Sequence, residues 1–397
     1  MEIEHKMHQK LLYDLAATHP GKLGSLHGGG IYAEAVFERL MALGLGEKLE
    51  VFYYAHKELP DNILELCQKH AITQHKIGTA NDIQELIDSK SYHSLYSAMP
   101  YELYKDTDTK NVRFIYTIHG LREIEIPYSS QQWRYSMHWK RIVEWLWASL
   151  FTEHFLASTK NRFETLLGKE NSEVITISQH SKYSILNQFG HLIKDCDLRV
   201  LYSPLLQERT DKVVTNENSS DSESFFLIIN GNRWIKNSYR ALCALESFYK
   251  KNPNCEIKTL VLGLAKPPKR FRHHPLFEFK GYVSREELES AFVDAFAFIY
   301  PTLNEGFGYP PLEAMRKRTP VLASAVSAVP EVCGDAVLYF NPYDVNEIEI
   351  RIAEIYFDDK KRNLLVQKGA QKVKDMDLQQ AEMLDQLCTI IINPKEK

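Results

Sequence analysis

The chain has 397 residues, a length that predicts two or three folded domains rather than one small domain. Hydrophobic residues make up 44% and charged residues 25%, which excludes a disordered or collagen-like chain. Lys and Arg total 48 against 52 for Asp and Glu, and a net charge of -4 gives no general attraction for DNA or RNA. We therefore expect no nucleic-acid partner.

Apolar runs alternate with helical patterns through the first half of the chain. A predicted helix at 31–43 follows a loop that ends in Gly28, Gly29 and Gly30, and Ser178 fits the N-cap position of a later helix. Strands are predicted at 11–16, 49–55, 112–118 and 174–177. Strands that alternate with helices predict a parallel sheet.

A polar tract at 206–224 is the best candidate for a linker in the sequence. A second set of strands is then predicted at 225–229, 257–263 and 295–300. Ser284 and Glu287 have the spacing of a capping box at the start of a helix between the last two strands. The sequence thus predicts an N-terminal domain, a linker, a C-terminal domain and a terminal helix that packs back on the N-terminal domain, with the boundaries 1–205, 206–224, 225–375 and 376–397.

Targeting and metal-binding signals are weak in this sequence. Glu2, Glu4 and Lys6 occupy the region where a secretory signal needs an apolar core, and no run of about 18 apolar residues predicts a membrane span. We therefore expect a cytoplasmic protein. The six cysteines include no C-x-x-C pair, so we expect no zinc site and no disulfide framework, but reduced and mostly buried thiols.

The most informative stretch is 301–320, which reads PTLNEGFGYPPLEAMRKRTP. Gly306 and Gly308 allow a ligand to approach the backbone, and Pro311 suits the first turn of a helix. The unpaired N–H groups and positive end of such a helix can hold a phosphate or diphosphate without a metal ion.

Two carboxylates bracket this loop, Glu305 before it and Glu313 in the predicted first helical turn. Carboxylate oxygens accept hydrogen bonds from sugar and ribose hydroxyls, so the arrangement suits a nucleotide-sugar. The structural alternative is that Glu313 complements the helix dipole while Glu305 is solvated.

Residues 281–344 resemble the donor-binding segment of family 4 of the retaining nucleotide-sugar glycosyltransferases. The signature is a pair of glutamates with seven residues between them, matched by Glu305 and Glu313, together with E-G-F-G at 305–308 and P-L-E-A-M at 311–315. The resemblance implies the GT-B fold, an α/β fold with two Rossmann-like doubly wound domains that face each other across a cleft.

The resemblance also implies roles for individual residues of the second domain. Glu313 would bind the ribose hydroxyls of the donor, Glu305 the hydroxyls of the transferred sugar, and the backbone amides of Gly306, Phe307 and Gly308 the distal phosphate.

The segment INGNRWIKN resembles the family's second motif, in which Arg233 and Lys236 would clamp the diphosphate. It departs from the family in placing Trp234 and Ile235 where Pro-Arg is common. The alternative is that both cations are solvated in a loop.

His119 ends a predicted strand, and ligands of open α/β sheets bind at that edge. It resembles the family's histidine, which implies contact with the donor sugar near the scissile bond, although a lone histidine can also be structural. Gly29 and Gly30 match the family's N-terminal glycine loop, which implies close approach of the acceptor and phosphates to the backbone. The dinucleotide motif G-x-G-x-x-G is absent at 28–33.

Two further patterns have simpler explanations. Asp106 and Asp108 form the D-x-D of metal-dependent glycosyltransferases, but the surrounding Lys, Asp and Thr residues indicate a solvated loop. We therefore expect no bound metal.

Four of the five tryptophans cluster at 133–147, where helical spacing favours a face that packs on the core. The alternative is an acceptor site or a peripheral membrane contact at the inner face of the membrane through Trp133, Trp139, Trp145 and Trp147.

These observations predict a retaining, metal-independent hexosyltransferase with catalytic residues His119, Arg233, Lys236 and Glu305. The donor would be a nucleotide diphosphate sugar, GDP-mannose as the first candidate, and no other cofactor is expected. The acceptor would be an oligosaccharide or a lipid-linked glycan of surface-polysaccharide synthesis. Alternatives are a non-catalytic nucleotide-sugar binder and a sugar-nucleotide epimerase of the same architecture.

Overall fold

A computed structural model describes residues 10–19, 28–90, 92–100, 102–135, 139–194, 197–204 and 224–393 of the chain. Contacts divide the chain into two compact units, one containing 1–121, 157–209 and 377–397 and the other 122–156 and 210–376. The predicted N-terminal domain, 1–205, is continuous, whereas in this division residues 122–156 group with the second unit. The predicted linker lies outside the described residues except for Ser224.

The described strands of the first unit form one parallel sheet in the order β3-β2-β1-β4-β5-β6-β7. They are β1 (Lys10–Asp14), β2 (Leu49–Tyr54), β3 (Gln74–Ile77), β4 (Tyr92–Ser97), β5 (Arg113–Ile118), β6 (Ser172–Thr176) and β7 (Leu198–Val200). Every residue of β5 is buried, as expected for a central strand covered by helices on both faces.

The described strands of the second unit form a separate parallel sheet in the order β10-β9-β8-β11-β12-β13. They are β8 (Phe225–Ile228), β9 (Lys258–Val261), β10 (Phe277–Phe279), β11 (Ala295–Tyr300), β12 (Val321–Ser324) and β13 (Leu338–Phe340). Phe298 of β11 lies opposite Leu227 of β8 and Val321 of β12. Both sheets have the doubly wound Rossmann order, so the predicted α/β class with two Rossmann-like sheets is confirmed.

The described helices connect successive strands, except for the last two, which follow β13. In chain order they are α1 (Gly28–Ala42), α2 (Asp61–Lys69), α3 (Ala80–Ser89), α4 (Arg122–Glu125), α5 (Trp139–Leu150), α6 (Thr152–Leu167), α7 (Gln179–Phe189), α8 (Ser238–Lys251), α9 (Arg285–Asp294), α10 (Tyr309–Arg316), α11 (Val329–Cys333), α12 (Val345–Phe357) and α13 (Asp359–Ile392). Two predicted caps are confirmed, Ser178 at the start of α7 and the Ser284 and Glu287 capping box of α9.

The last part of α13 is bonded to the first unit. Arg39 donates from Nε and Nη2 to the carboxylate of Asp385 at 2.6 and 2.8 Å. Arg113 donates from Nη1 to the carbonyl oxygens of Ile390 and Asn393 at 2.9 and 2.7 Å. These bonds hold the last part of α13 and Asn393 against α1 and the start of β5.

The predicted glycine loop before α1 is wrong in one respect. The helix begins at Gly28, so Gly28, Gly29 and Gly30 form its first turn although glycine is a poor helix former. Packing supplies the reason, because a Cβ atom at Gly29 would lie 2.0 Å from the sulfur of Met99 in the loop after β4. Only a residue without a side chain fits that position without displacing Met99.

The expectation of mostly buried thiols is confirmed for the cysteines that the structure covers. Cys67, Cys243, Cys255, Cys333 and Cys388 form no disulfide, and all but Cys243 are buried. None of the described helices combines the length and the apolar character needed to cross a membrane.

Candidate functional site

Ligands of open parallel sheets bind at the carboxyl ends of neighbouring strands whose connections leave in opposite directions. In the second unit these strands are β8 and β11, since β9 lies on one side of β8 and β12 on the other side of β11. The loops that follow them touch, because the backbone N–H of Leu303 donates to the carbonyl oxygen of Ile235 at 2.8 Å. The two motifs found in the sequence therefore meet at the expected edge of this sheet.

Lys236 and Glu305 form an ion pair at this edge. Lys236 Nζ lies 2.5 Å from Glu305 Oε1 and donates to the hydroxyl of Tyr300 at 3.2 Å, with the ring centroid of Tyr300 at 5.1 Å. The hydroxyl of Thr302 donates to the same carboxylate oxygen at 2.6 Å. The side chains of Lys236 and Glu305 are 8% and 15% exposed, so the alternatives of a solvated lysine and a solvated glutamate are both wrong.

Burial and charge set the ionisation of this pair. Burial lowers the pKa of Lys236 below its usual value, and the positive charges of Arg233 and Arg122 act in the same direction. Burial alone would raise the pKa of Glu305, but Lys236, Thr302 and Tyr300 outweigh it and hold that pKa below its usual value. The carboxylate is therefore ionised at neutral pH and faces a cluster of cations.

Two of these cations lie close to the ion pair. Arg233 is exposed and starts the short 3₁₀ turn that carries Lys236, whose backbone N–H donates to the carbonyl oxygen of Arg233 at 2.9 Å. Arg122 belongs to α4, is exposed, and acts on the charge of Lys236. Exposed cations beside a buried lysine, at the edge of a parallel sheet, suit a dianionic ligand such as a diphosphate.

The loop from Glu305 to Gly308 leads into the N-terminus of α10. The backbone N–H of Glu305 donates to the hydroxyl of Ser327 at 2.8 Å, and the ring of Phe307 is buried. Gly308 has φ +112°, a conformation that side chains disfavour, and it is the N-cap of α10. The helix starts at Tyr309, two residues before the predicted Pro311.

Glu313 is consequently the fifth residue of α10. The prediction that it lies in the first helical turn is therefore wrong. Its carboxylate accepts a hydrogen bond from Arg285 Nη1 at 2.5 Å, and Arg285 Nε donates to Glu289 at 2.9 Å. Burial works against the charge of Arg285, but the two carboxylates outweigh it and raise the pKa of the guanidinium. Glu313 is thus held in place by a cation from α9.

In the first unit, His119 lies at the carboxyl end of β5 and is half-buried. Its Nε2 is 2.9 Å from the carbonyl oxygen of Ala98, and its ring meets that of Tyr32 edge-on at 4.8 Å. Tyr32 belongs to α1, whose first turn contains the half-buried Gly29 and the buried Gly30. His119 and the glycine turn are therefore neighbours through Tyr32, at the edge where the first sheet would bind a ligand.

The D-x-D triplet lies in an exposed part of the first unit. Asp106 and Asp108 are exposed, and Asp108 accepts a hydrogen bond from the backbone N–H of Lys110 at 3.0 Å. Across the part of the chain that the structure describes, His, Cys, Asp and Glu side chains form no group of three or more that could hold a metal ion.

The tryptophan-rich segment differs from the favoured expectation. Trp139 is 63% exposed and Trp147 42% exposed, so the predicted packing of this face on the core is wrong. Trp145 points the other way, because its Nε1 donates to the carbonyl oxygen of Ser129 at 3.1 Å. Periodicity identifies the apolar stripe, but it does not say which side of the helix meets the protein.

Sequence reasoning missed several residues of the site, namely Arg122, Arg285, Tyr300, Thr302 and Ser327. Arg285 carries a local signal, since it starts the helix that the capping box predicts. Tyr300 and Thr302 lie five and three residues before Glu305, whereas Arg122 and Ser327 reach the site from other segments of the chain.

Known proteins are similar in sequence to parts of this chain. Residues 216–372 match the family described as "Glycosyl transferases group 1". The chain is 41% identical over 96 residues to O-antigen chain mannosyltransferase B of Escherichia coli, a match to 24% of this chain and 25% of that protein. It is 26% identical over 191 residues to O-antigen chain mannosyltransferase RfbU of Salmonella typhimurium, 47% of this chain and 52% of the relative.

Solved structures extend the likeness to nearly the whole chain. The Anabaena protein HepE, crystallised with UDP and glucose, superposes with a TM-score of 0.64 at 14% identity, covering 97% of this chain and 99% of HepE. WaaG, a glycosyltransferase involved in lipopolysaccharide biosynthesis, gives a TM-score of 0.62 at 13% identity, with 96% and 99% covered. Residues 216–372 are thus similar to the group 1 glycosyl transferases, and the two parallel sheets of the chain have the GT-B fold.

Proposed function

We propose that this protein is a retaining hexosyltransferase that uses a nucleotide diphosphate sugar, with GDP-mannose as the first candidate. The observation that carries the proposal is the buried pair of Lys236 and Glu305 at the carboxyl ends of β8 and β11. It supplies a cation for a diphosphate and a carboxylate for sugar hydroxyls at one point. Similarity to the two O-antigen mannosyltransferases supports mannose and surface-polysaccharide synthesis.

The proposed chemistry follows from these groups. The bond between the sugar C1 and the β-phosphate oxygen breaks, and negative charge develops on the leaving diphosphate. Lys236, Arg233 and the amide end of α10 stabilise that charge, so departure needs no metal ion. The acceptor hydroxyl forms its bond to C1 on the same face, and its proton passes to the leaving phosphate oxygen, which retains the anomeric configuration.

The remaining site residues have supporting roles in this proposal. Glu313, oriented by Arg285, binds the ribose hydroxyls of the donor. Glu305 binds the hydroxyls of the transferred sugar, and the amides of Gly306, Phe307 and Gly308 bind the distal phosphate. His119 contacts the sugar near the scissile bond, with its ring held by Tyr32. The acceptor is an oligosaccharide or a lipid-linked glycan.

The test is an activity assay with defined donors. The purified chain is incubated with GDP-mannose, UDP-glucose or ADP-glucose, with and without methyl α-mannoside as the probe acceptor, and nucleotide release and sugar products are measured. We expect fastest GDP release from GDP-mannose and an α-linked disaccharide by NMR. Binding without turnover would indicate a non-catalytic binder, and a changed sugar in the donor-only reaction would indicate an epimerase.

A further inference from the structure

The helix α5 exposes an unusual apolar face. Six side chains at helical spacing form one stripe, and each is between 41% and 71% exposed, namely those of Trp139, Ile142, Val143, Leu146, Trp147 and Leu150. Phe151, directly after the helix, is 56% exposed. A soluble helix normally turns such a stripe toward the core, so this face is available to a partner.

The opposite side of α5 is the one that meets the protein. Ala148 is buried, and Trp145 donates its indole N–H to the carbonyl oxygen of Ser129. The hydroxyl of Thr152 donates to the carbonyl oxygen of Ala148 at 2.8 Å, which anchors the helix end. The helix is therefore attached through Ala148 and Trp145, and its apolar stripe points outward.

Charge and residue type identify the partner. Residues 133–151 contain Arg134, Lys140 and Arg141 against the one acid Glu144, although the whole chain has a net charge of -4. Lys140 lies beside a tryptophan ring, 5.7 Å from the centroid of Trp139. Arg134 is 4.4 Å from the centroid of Trp133 and also donates to the hydroxyl of Tyr239 at 2.8 Å, so it is held by the protein. Tryptophan beside Lys or Arg is typical of side chains at the boundary between water and lipid.

We propose that α5 lies in the surface of an anionic lipid bilayer, with the stripe in the acyl boundary and Lys140, at the flank of the stripe, among the headgroups. A helix of 12 residues is too short to span a bilayer but long enough for an interfacial segment. The inference rests on the proposed function in one respect: membrane binding would bring the enzyme to a lipid-linked acceptor. Lipid binding itself is measured without donor or acceptor, so either proposal can fail while the other holds.

The experiment is flotation of the full chain with vesicles of phosphatidylethanolamine and phosphatidylglycerol at 3:1, compared with pure phosphatidylcholine vesicles. Leu150→Glu places a charge in the stripe, and Leu378→Glu is the matched control because Leu378 is a leucine in α13 with similar exposure, 68% against 71%. We expect the wild type and Leu378→Glu to float with anionic vesicles and Leu150→Glu to lose at least fivefold of its bound fraction. Tryptophan emission should shift to shorter wavelength only in the variants that float.

Three results would overturn the proposal. The wild type could fail to bind anionic vesicles, or Leu150→Glu could bind as well as Leu378→Glu. In the third, the stripe could join two copies of the chain instead. Sedimentation velocity would then show a dimer that Leu150→Glu dissociates, and the protein would not bind vesicles. Circular dichroism of both variants shows whether the substitution at this exposed position leaves the fold intact.

Discussion

Nζ of Lys236 lies 2.5 Å from Oε1 of Glu305, across 69 residues of sequence and at the ends of two neighbouring strands. Each side chain neutralises a charge that burial alone would disfavour. A donor that brings a diphosphate and sugar hydroxyls offers each of them an additional partner. The pair is therefore both a stabilising contact and the centre of the proposed donor site.

Removing one member of this pair should destabilise the second unit. Lys236→Met or Glu305→Gln leaves a buried polar group without its partner, and we expect each to cost about 3 kcal/mol. The double variant should cost clearly less than the sum, because no unpaired charge remains. Urea unfolding, followed by fluorescence, gives the free energy of unfolding of the two single variants and the double variant.

The control for this cycle is the pair of Lys251 and Glu349, 2.6 Å apart, in which the lysine is 62% exposed. Its coupling free energy should be below about 1 kcal/mol because water screens the exposed charge. Equal coupling in the two pairs would show that burial does not strengthen the contact of Lys236 with Glu305.

Nucleotide affinity should depend on Glu313. Glu313→Ala removes the carboxylate proposed to bind the ribose hydroxyls, and we expect at least a tenfold weaker Kd for the nucleotide by calorimetry. That loss corresponds to about 1.4 kcal/mol. Arg285 keeps its bond to Glu289 in this variant, so the local structure should persist.

Glu289→Gln is the matched control, because Glu289 contacts the same arginine but has no proposed contact with the donor. It should leave the nucleotide Kd within about twofold, well under 1 kcal/mol. An unchanged Kd in Glu313→Ala would contradict the ribose role.

Gly308→Ala should weaken the loop by backbone strain alone. The atom nearest to a Cβ added at Gly308 is Val329 Cγ2 at 3.9 Å, so there is space for a methyl group. The φ of +112° is nevertheless a backbone conformation that alanine rarely adopts. We expect a loss of about 1–3 kcal/mol of stability together with weaker donor binding. Thermal unfolding with and without nucleotide measures both effects.

Gly281→Ala serves as the comparison, since Gly281 lies outside the left-handed region and its added Cβ would be 3.7 Å from Ala265 Cβ, an ordinary contact. It should be tolerated. If Gly308→Ala were as stable and as active as Gly281→Ala, the loop would not require this conformation.

The sequence predicts local elements of the fold more completely than contacts between distant residues. The bounds of β11 and the capping box of Ser284 depend on neighbouring residues, and the structure agrees with both. The contact of Lys236 with Glu305 depends on how two strands are placed in the sheet, which local patterns indicate only as a shared edge. Gly28 to Gly30 form a helical turn against their propensity, and Gly29 packs there against the side chain of Met99, a contact that local patterns do not show.

Metal independence is a further expectation of the proposed function. If Lys236, Arg233 and the end of α10 stabilise the leaving diphosphate, EDTA should leave the initial rate of GDP release unchanged. Asp106→Asn and Asp108→Asn should also retain full activity, since both side chains are exposed in the first unit. Loss of activity in EDTA with recovery in Mn²⁺, and inactive aspartate variants, would revive the D-x-D motif as a metal site.

Donor affinity in a variant that keeps its fold tests the account most directly. Calorimetry with GDP-mannose compares the wild type, the double variant Lys236→Met with Glu305→Gln, and Lys251→Met at the far end of α8, roughly 20 Å along the helix from Lys236. We predict at least about a hundredfold weaker binding in the double variant, near 2.7 kcal/mol, and wild-type affinity in Lys251→Met. Equal affinity in all three proteins would contradict the placement of the donor at Lys236 and Glu305, and so would the absence of binding to the wild type by GDP-mannose and by the UDP and ADP sugars.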